Sequence, residues 1–315
     1  MSHFVITPSL SGLMNAVMVE TPYLPQADVT VTTCELTEDE RNEVLIFLAE
    51  RPIYTVCLAG FIRDNGLSSP HNRGTFYGCR NSEGRLEGVA LIGHATLIEA
   101  RTSRAMQEFG LIAQGHSRKH MIMGEKDKVE EFWNYYADEG QDIRLACREM
   151  LFELRQVMES SDEVTGLRHA SIEELDQIAP IQAAMAEFES GVNPLDVDPE
   201  GFRARCARRI AMGRVWVLED GGRILFKADV QADTSDVIYL EGVWVNPTER
   251  GKGIGRMCLR QLCSDLLTRT KSVCVLVNEE SARAHTFYRM CNFKMLGVYD
   301  TIFLHRQKSE QDICN

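Results

Sequence analysis

Between residues 166 and 305 the apolar positions switch regularly between a period of two and a period near 3.6. "GLRHA" (166–170) reads as a strand. "SIEELDQIAPIQAAMAEFE" (171–189) reads as a helix that opens at Ser171, where Glu174 three residues on completes a capping box. A loop with two prolines leads to a second helix over about Pro199–Met212. Two apolar runs around Asp220-Gly221-Gly222 predict a hairpin. "DVIYLEGVWV" (236–245) is a further strand. Ile254, Cys258, Leu262 and Leu266 lie four apart and predict a helix over Gly253–Arg269. "SVCVLVN" (272–278) is a short buried strand. Ser281 can cap a helix with Ala284, Phe287, Tyr288 and Cys291 on one face, and "FKMLGVYDTIFLH" (293–305) closes with strand pairs.

The first half follows the same order more faintly. "DVTVTTCEL" (28–36) resembles a strand and "TEDERNEVLIFLAE" (37–50) a helix. A hairpin is centred on Ser82-Glu83-Gly84, "HATLIEA" (94–100) is a fourth strand and "RTSRAMQEFGLIA" (101–113) a helix. "HMIMGE" (120–125) and "DKVEEFWNYYADEG" (127–140) follow as strand and helix. The order predicts either two copies of one α/β (α+β) fold or an unrelated α/β domain in front. The polar stretch "MESSDEVTG" (158–166) divides them. The expected layout is an N-terminal extension at 1–28, domains at 29–158 and 165–307, and a tail at 308–315.

Composition narrows the partners. The chain of 315 residues is 44% hydrophobic and 25% charged, as globular domains are. No run approaches the ~18 apolar residues of a membrane span. No basic residue precedes Arg41, so no secretory signal is read and a cytoplasmic protein is the default expectation. Ten cysteines without a CxxC pair suit buried thiols in a reducing compartment, and the sequence offers no metal site. The net charge of −12 speaks against nucleic acid and anionic lipid. Residues 166–304 nevertheless hold 17 basic against 19 acidic side chains, so an anionic ligand is welcome there.

The sharpest motif is "RGKGIGR", residues 250–256, between a strand and a helix. A P-loop would need Ser or Thr after Lys252, and Gly253 stands there. A dinucleotide fingerprint would need a small residue at 256 or 258, which are Arg and Cys. What remains is Arg250-x-x-Gly253-x-Gly255. Gly251, Gly253 and Gly255 allow close approach, the N–H groups at Ile254 and after it open the helix, and Arg250, Lys252 and Arg256 add full charges. A diphosphate fits such a nest.

With "VWVNP" upstream and "ARAHTFYRMCNF" downstream, this stretch resembles the acetyl-CoA signature of the GNAT superfamily of N-acetyltransferases. The likeness covers about residues 166–305. It implies a mixed central sheet flanked by helices, acetyl-CoA as co-substrate, and an amine acceptor that is a small molecule or a protein amino group. It also implies that the main chain of Val243, Trp244 and Val245 holds pantetheine, one N–H facing the thioester oxygen. Two positions depart from the pattern. Ser281 stands where the family uses asparagine, with Asn278 near enough in sequence to supply an amide, and Asn292 stands where glycine is usual.

Two catalytic candidates follow. Glu241 lies in an apolar strand, where desolvation would raise its pKa and make it a general base. It is otherwise a carboxylate at the wet end of the strand, or one paired with an arginine of 203–209. Tyr288 matches the family tyrosine that protonates the leaving thiolate, and a core tyrosine would look the same. Arg203, Arg205, Arg208 and Arg209 either attract an acidic acceptor or form a solvated basic face. After "HATLIEA" the first half continues as "RTSRAMQEF", with no glycine where the motif should be, and is expected to shape the acceptor site instead. The reading is an N-acetyltransferase working by direct attack in a ternary complex. Its alternative is a non-catalytic acyl-CoA-binding regulator, and an oligomer is compatible with either.

Overall fold

The computed structural model describes residues 30–116, 119–157 and 164–305. The expected extension at 1–28, the tail at 308–315 and the polar divider at 158–163 lie outside these residues. The first half runs β1 (Thr32–Glu35), α1 (Arg41–Ala49), α2 (Val56–Asn65), β2 (Gly74–Arg80), β3 (Leu86–Gly93), β4 (Ala95–Ala100), α3 (Ser103–Gln114), β5 (Met121–Glu125), α4 (Lys126–Tyr136) and β6 (Ile143–Leu154). The second runs β7 (Arg168–His169), α5 (Leu175–Ser190), α6 (Pro194–Val197), α7 (Pro199–Ala211), β8 (Val215–Asp220), β9 (Arg223–Asp233), β10 (Val237–Val245), α8 (Ile254–Leu267), β11 (Ser272–Asn278), α9 (Ala282–Met290) and β12 (Lys294–Leu304). Apart from the one-turn α6, the second order repeats the first.

All twelve strands form one mixed sheet in the order β1-β2-β3-β4-β5-β12-β6-β11-β10-β9-β8-β7. Among the described residues, only β4–β5 and β10–β11 pair in parallel, at equivalent places in the two halves. The last strands are exchanged. β6 pairs with β11 of the second half from Leu154↔Val273 to Glu149↔Asn278. β12 pairs with β5 of the first half from Tyr299↔Glu125 to Phe303↔Met121. At the centre β6 and β12 pair with each other, from Lys294↔Glu153 to Leu304↔Ile143.

The exchange carries core side chains with it. Phe152 and Leu154 of β6 pack with Cys258, Leu259, Leu262 and Tyr288 under α8 and α9. Ile302 and Leu304 of β12 pack with Phe109, Phe132 and Tyr136 under α3 and α4. Each half thus completes the apolar core of the other, and separation would expose both.

Several expectations change. The 293–305 segment is one long strand, not a pair, because its partners are β5 and β6. "GLRHA" contributes only two strand residues, and the described part of "DVTVTTCEL" contributes Thr32–Glu35. The Ser171–Glu174 capping box is present, on a 3-10 turn that feeds α5. Ser281 occupies the N-cap of α9 but its hydroxyl makes no capping bond. Asn292 takes the left-handed conformation, φ 70°, expected of a glycine substitute.

Phe152→Ala should cost about 3–5 kcal/mol, as buried aromatic truncations do. Because β6 is built into both halves, thermal unfolding should stay a single transition shifted to lower temperature. Two transitions, only one of them shifted, would show that the halves are independent.

Candidate active site

β10 is the element from which the site is built. It follows β9 along its whole length, but it pairs with β11 only over Val237, Ile238 and Tyr239. Beyond Tyr239 the two parallel strands diverge, so the backbone from Leu240 onward has no strand on that side. A bulge falls between Glu241, opposite Asp229, and Trp244, opposite Lys227. Gly242 makes it possible with φ 62°, and a Cβ there would lie 3.0 Å from Gln182 Oε1 and 3.1 Å from Lys227 Nζ.

A buried charge network lies beneath the bulge. Lys227, fully buried, forms an ion pair with Asp229 Oδ1 and donates to Gln182 Oε1, each at 2.7 Å. Arg209 reaches the other Asp229 oxygen at 3.1 Å. The arginine expected to pair with Glu241 is therefore engaged first by Asp229. Glu241 has no hydrogen bond among the described residues. Desolvation raises its pKa, Arg209 and Lys227 oppose this, and Asp229 adds to it.

Two further carboxylates share this field. Tyr239 and Leu151 pack together on one face of the sheet, and alternation puts Glu241 and Glu149 on that same face. Glu149 comes from the exchanged β6, and Thr301 of β12 donates to it at 2.7 Å. Desolvation raises Glu149, the Thr301 bond lowers it, and Glu241 raises it further. Glu189 ends α5, which is fastened to β6 by Arg144 donating to the Ser190 carbonyl at 2.7 Å. Glu189 is open to water yet ringed by protein, as in a cleft. Desolvation, then Glu241 and Glu149, push it up to about 8 against the partial relief of Lys227. Cys57 of α2 is pushed up to about 12 by burial and the same two glutamates.

The glycine turn lies past the bulge. Gly251 and Gly253 have φ 81° and 87°, with open space where a side chain would project. Gly253 is the N-cap of α8 and supplies no side-chain cap, so the first N–H groups of Ile254, Gly255 and Arg256 face outward. Gly255 is glycine for packing, since a Cβ would meet Val245 Cγ2 at 2.6 Å. Arg250 donates to the Val245 carbonyl at 3.1 Å, Lys252 pairs with Glu249 at 3.0 Å, and Arg256 is exposed. Val243 and Val245 lean on the core under α8, and Trp244 on the cluster under α5 and α7.

The remaining candidates scatter more. Asn278 ends β11, its side-chain oxygen accepting from the Glu280 N–H at 2.9 Å and its carbonyl bonded to His285 Nε2 at 2.9 Å. Tyr288 is 9% exposed and sits among Phe152, Phe287 and Phe293. Burial raises its phenol, neighbouring cysteines add to this, and Glu189 contributes from the cleft side. The arginines of α7 form neither an open basic face nor an anion trap. Arg203 pairs with Asp176, Arg205 with Asp198 and Arg209 with Asp229, while Arg208 donates to Asn65 of α2.

The first half shows what the same scaffold does without these features. Leu97↔Met123 and Tyr239↔Cys274 are each the last parallel pair, so Glu99 holds in β4 the place that Glu241 holds in β10. Glu99 is 1% exposed and carries Lys128 at 2.7 Å, Arg51 at 3.1 Å and Arg101 at 3.3 Å. β4 then ends at Ala100, and Thr102 caps α3 directly. There is no room for a bulge or a glycine turn.

Comparison with known proteins agrees with this geometry. Residues 211–295 match the acetyltransferase (GNAT) domain family. No curated protein matches the chain by sequence. Among solved structures, a GNAT-family acetyltransferase from Colwellia psychrerythraea superposes with a TM-score of 0.56 at 11% identity, covering 88% of this chain and all of that one. A Drosophila protein gives 0.62 at 10% identity over 88% and 99%. A tandem GNAT protein from the clavulanic acid biosynthesis pathway gives 0.55 at 11% identity over 89% and 100%. The chain has a tandem GNAT fold, with a GNAT domain in its second half and a divergent copy in its first. No helix among the described residues is long and apolar enough to cross a membrane.

Glu189 offers a test of the cleft electrostatics. A carboxyl raised from 4.5 to about 8 contributes no penalty below 4.5 and progressively destabilises the fold as pH rises toward 8. Glu189→Gln should therefore gain melting temperature over the native chain between pH 5 and 8, with little difference at pH 5. A gap that does not change with pH would contradict the raised pKa.

Proposed function

We propose that the chain is an acetyl-CoA-dependent N-acetyltransferase acting on a primary amine. The observation that carries the reading is the divergence of β10 from β11 at Glu241. It leaves one strand edge open between a half-buried carboxylate and a glycine-lined helix start. The fit to coenzyme A rests on the turn. Gly251 and Gly253 leave open space, the α8 N–H groups are uncapped, and Arg250, Lys252 and Arg256 bring positive charge. Those residues would hold the diphosphate. The free edge of Val243, Trp244 and Val245 would hold pantetheine, with Asn278 and Ser281 across the gap. Acetyl-CoA supplies an activated acyl thioester.

The chain's own groups do the rest. Glu241, with a raised pKa and no hydrogen bond of its own, accepts the proton of the attacking amine, directly or through water. A free alkyl ammonium has a pKa near ~10.4 and cannot attack until that proton leaves. The N–H groups at the β10 edge meet charge developing on the acyl oxygen. The C–N bond forms as the C–S bond breaks, and Tyr288, whose phenol stays protonated in its buried setting, offers a proton to the departing sulfur.

Glu241→Gln should lower amine-dependent release of CoA by about 10²- to 10⁴-fold. Tyr288→Phe should lower it less, and both variants should still bind acetyl-CoA. An unchanged rate in Glu241→Gln would remove the base. Binding of acetyl-CoA without turnover of any amine would favour a regulator that senses acyl-CoA.

A further inference from the structure

We propose that the acceptor is a small diamine, and that Glu149, delivered by the exchanged strand of the first half, together with Glu189, holds its non-reacting ammonium. This deepens the acetyltransferase reading and rests on it for the identity of the reacting amine.

Three observations combine. The first is a charge imbalance in the cleft. Among the described residues, Glu241, Asp229, Glu149 and Glu189 share one field with Arg209 and Lys227, both already paired with Asp229, and with Arg144, which is bonded to the Ser190 carbonyl at the end of α5. The second is placement. Had β10 continued along β11, Glu241 would stand level with Leu276, and β6 places Glu149 opposite Asn278, two residues further along the same face. The open gap between β10 and β11 therefore has Glu241 on its β10 edge and Glu149 one strand beyond β11, on the same face of the sheet. Thr301 fixes Glu149 by its 2.7 Å bond, and the end of α5, fastened to β6, brings Glu189 over the same place.

The third observation is independent and comes from the other half of the molecule. Glu99 occupies the register position of Glu241, and there a primary ammonium, Lys128 Nζ, sits on the carboxylate at 2.7 Å, joined by two guanidinium groups. One scaffold thus shows its strand-end glutamate fully supplied with cations by the chain. In the other copy no ion pair to Glu241 forms among the described residues, and the two cations in its field, Arg209 and Lys227, are held by Asp229. A ligand with two amines brings the missing charge. One amine faces Glu241 and gives up its proton there, while the other remains an ammonium between Glu149 and Glu189, its charge driving the raised Glu189 carboxyl to release its proton to the medium, within a cleft where charge pairing is screened less than at the surface.

The test is equilibrium binding to the full chain with CoA present, using 1,4-diaminobutane and n-butylamine as probes. The diamine should bind about tenfold tighter or more. Glu149→Gln keeps the shape and the Thr301 bond and should abolish that advantage, with affinity for CoA unchanged. Thr301→Val, which frees the carboxylate without removing its charge, should lose part of the advantage. Equal affinities for the two amines, or a diamine preference that persists in Glu149→Gln, would overturn the proposal. Because the readout is binding, a chain that never turns over any amine would sink the catalytic reading while leaving this result separately decided.

Discussion

At the middle of the sheet β6 and β12 run antiparallel, each on the far side of its own half. That pairing is the constraint from which the site follows. It places Phe152 beneath α8 and α9, and it brings Glu149 into the field of Glu241. A two-domain chain joined by a linker would let its halves move by default. Here the last strand of each half is a structural member of the other, so the first half is part of the wall of the cleft. In the proposed function, that strand is the means by which the first half would shape the acceptor site.

The two copies show how one strand position reaches opposite electrostatic outcomes. Glu99 and Glu241 follow the last parallel pair by the same two residues. Glu99 is enclosed by Lys128, Arg51 and Arg101, and its strand turns straight into a capped helix. Glu241 precedes a bulge made possible by Gly242 at φ 62°, an open strand edge and an uncapped helix start. Burial of a carboxylate is costly in either case. The first half compensates it with fixed cations, as a structural solution. In the proposed function the second half leaves that compensation to the substrate.

Much of the second half was legible because its signals are local. Helical spacing marked α8, the glycine turn set its start, and Glu241 stood out as an acid in an apolar strand. The repeat in the first half was legible as order, though not as an exchanged sheet. β6 was not read as a strand because "LACREMLFEL" mixes Arg148, Glu149 and Glu153 into an apolar run. Its partners lie in the other half, beyond the reach of any short window. For the same reason Glu149 and Glu189 were missed as members of the site. Lys227 and Asp229, adjacent in alternation and unusual in a buried strand, were a signal that could have been used. Arg209 was noticed, but its role depends on which face of α7 meets β9, which spacing alone does not decide.

The central claim is that two copies of one fold share a sheet and leave a single coenzyme site, in the second copy. Calorimetric titration of the full chain with acetyl-CoA tests it most directly. One molecule should bind per chain, and Gly253→Val, which places a side chain at φ 87° in the turn, should abolish that binding without a second site emerging. Two molecules per chain, or one that still binds Gly253→Val with native affinity, would contradict it.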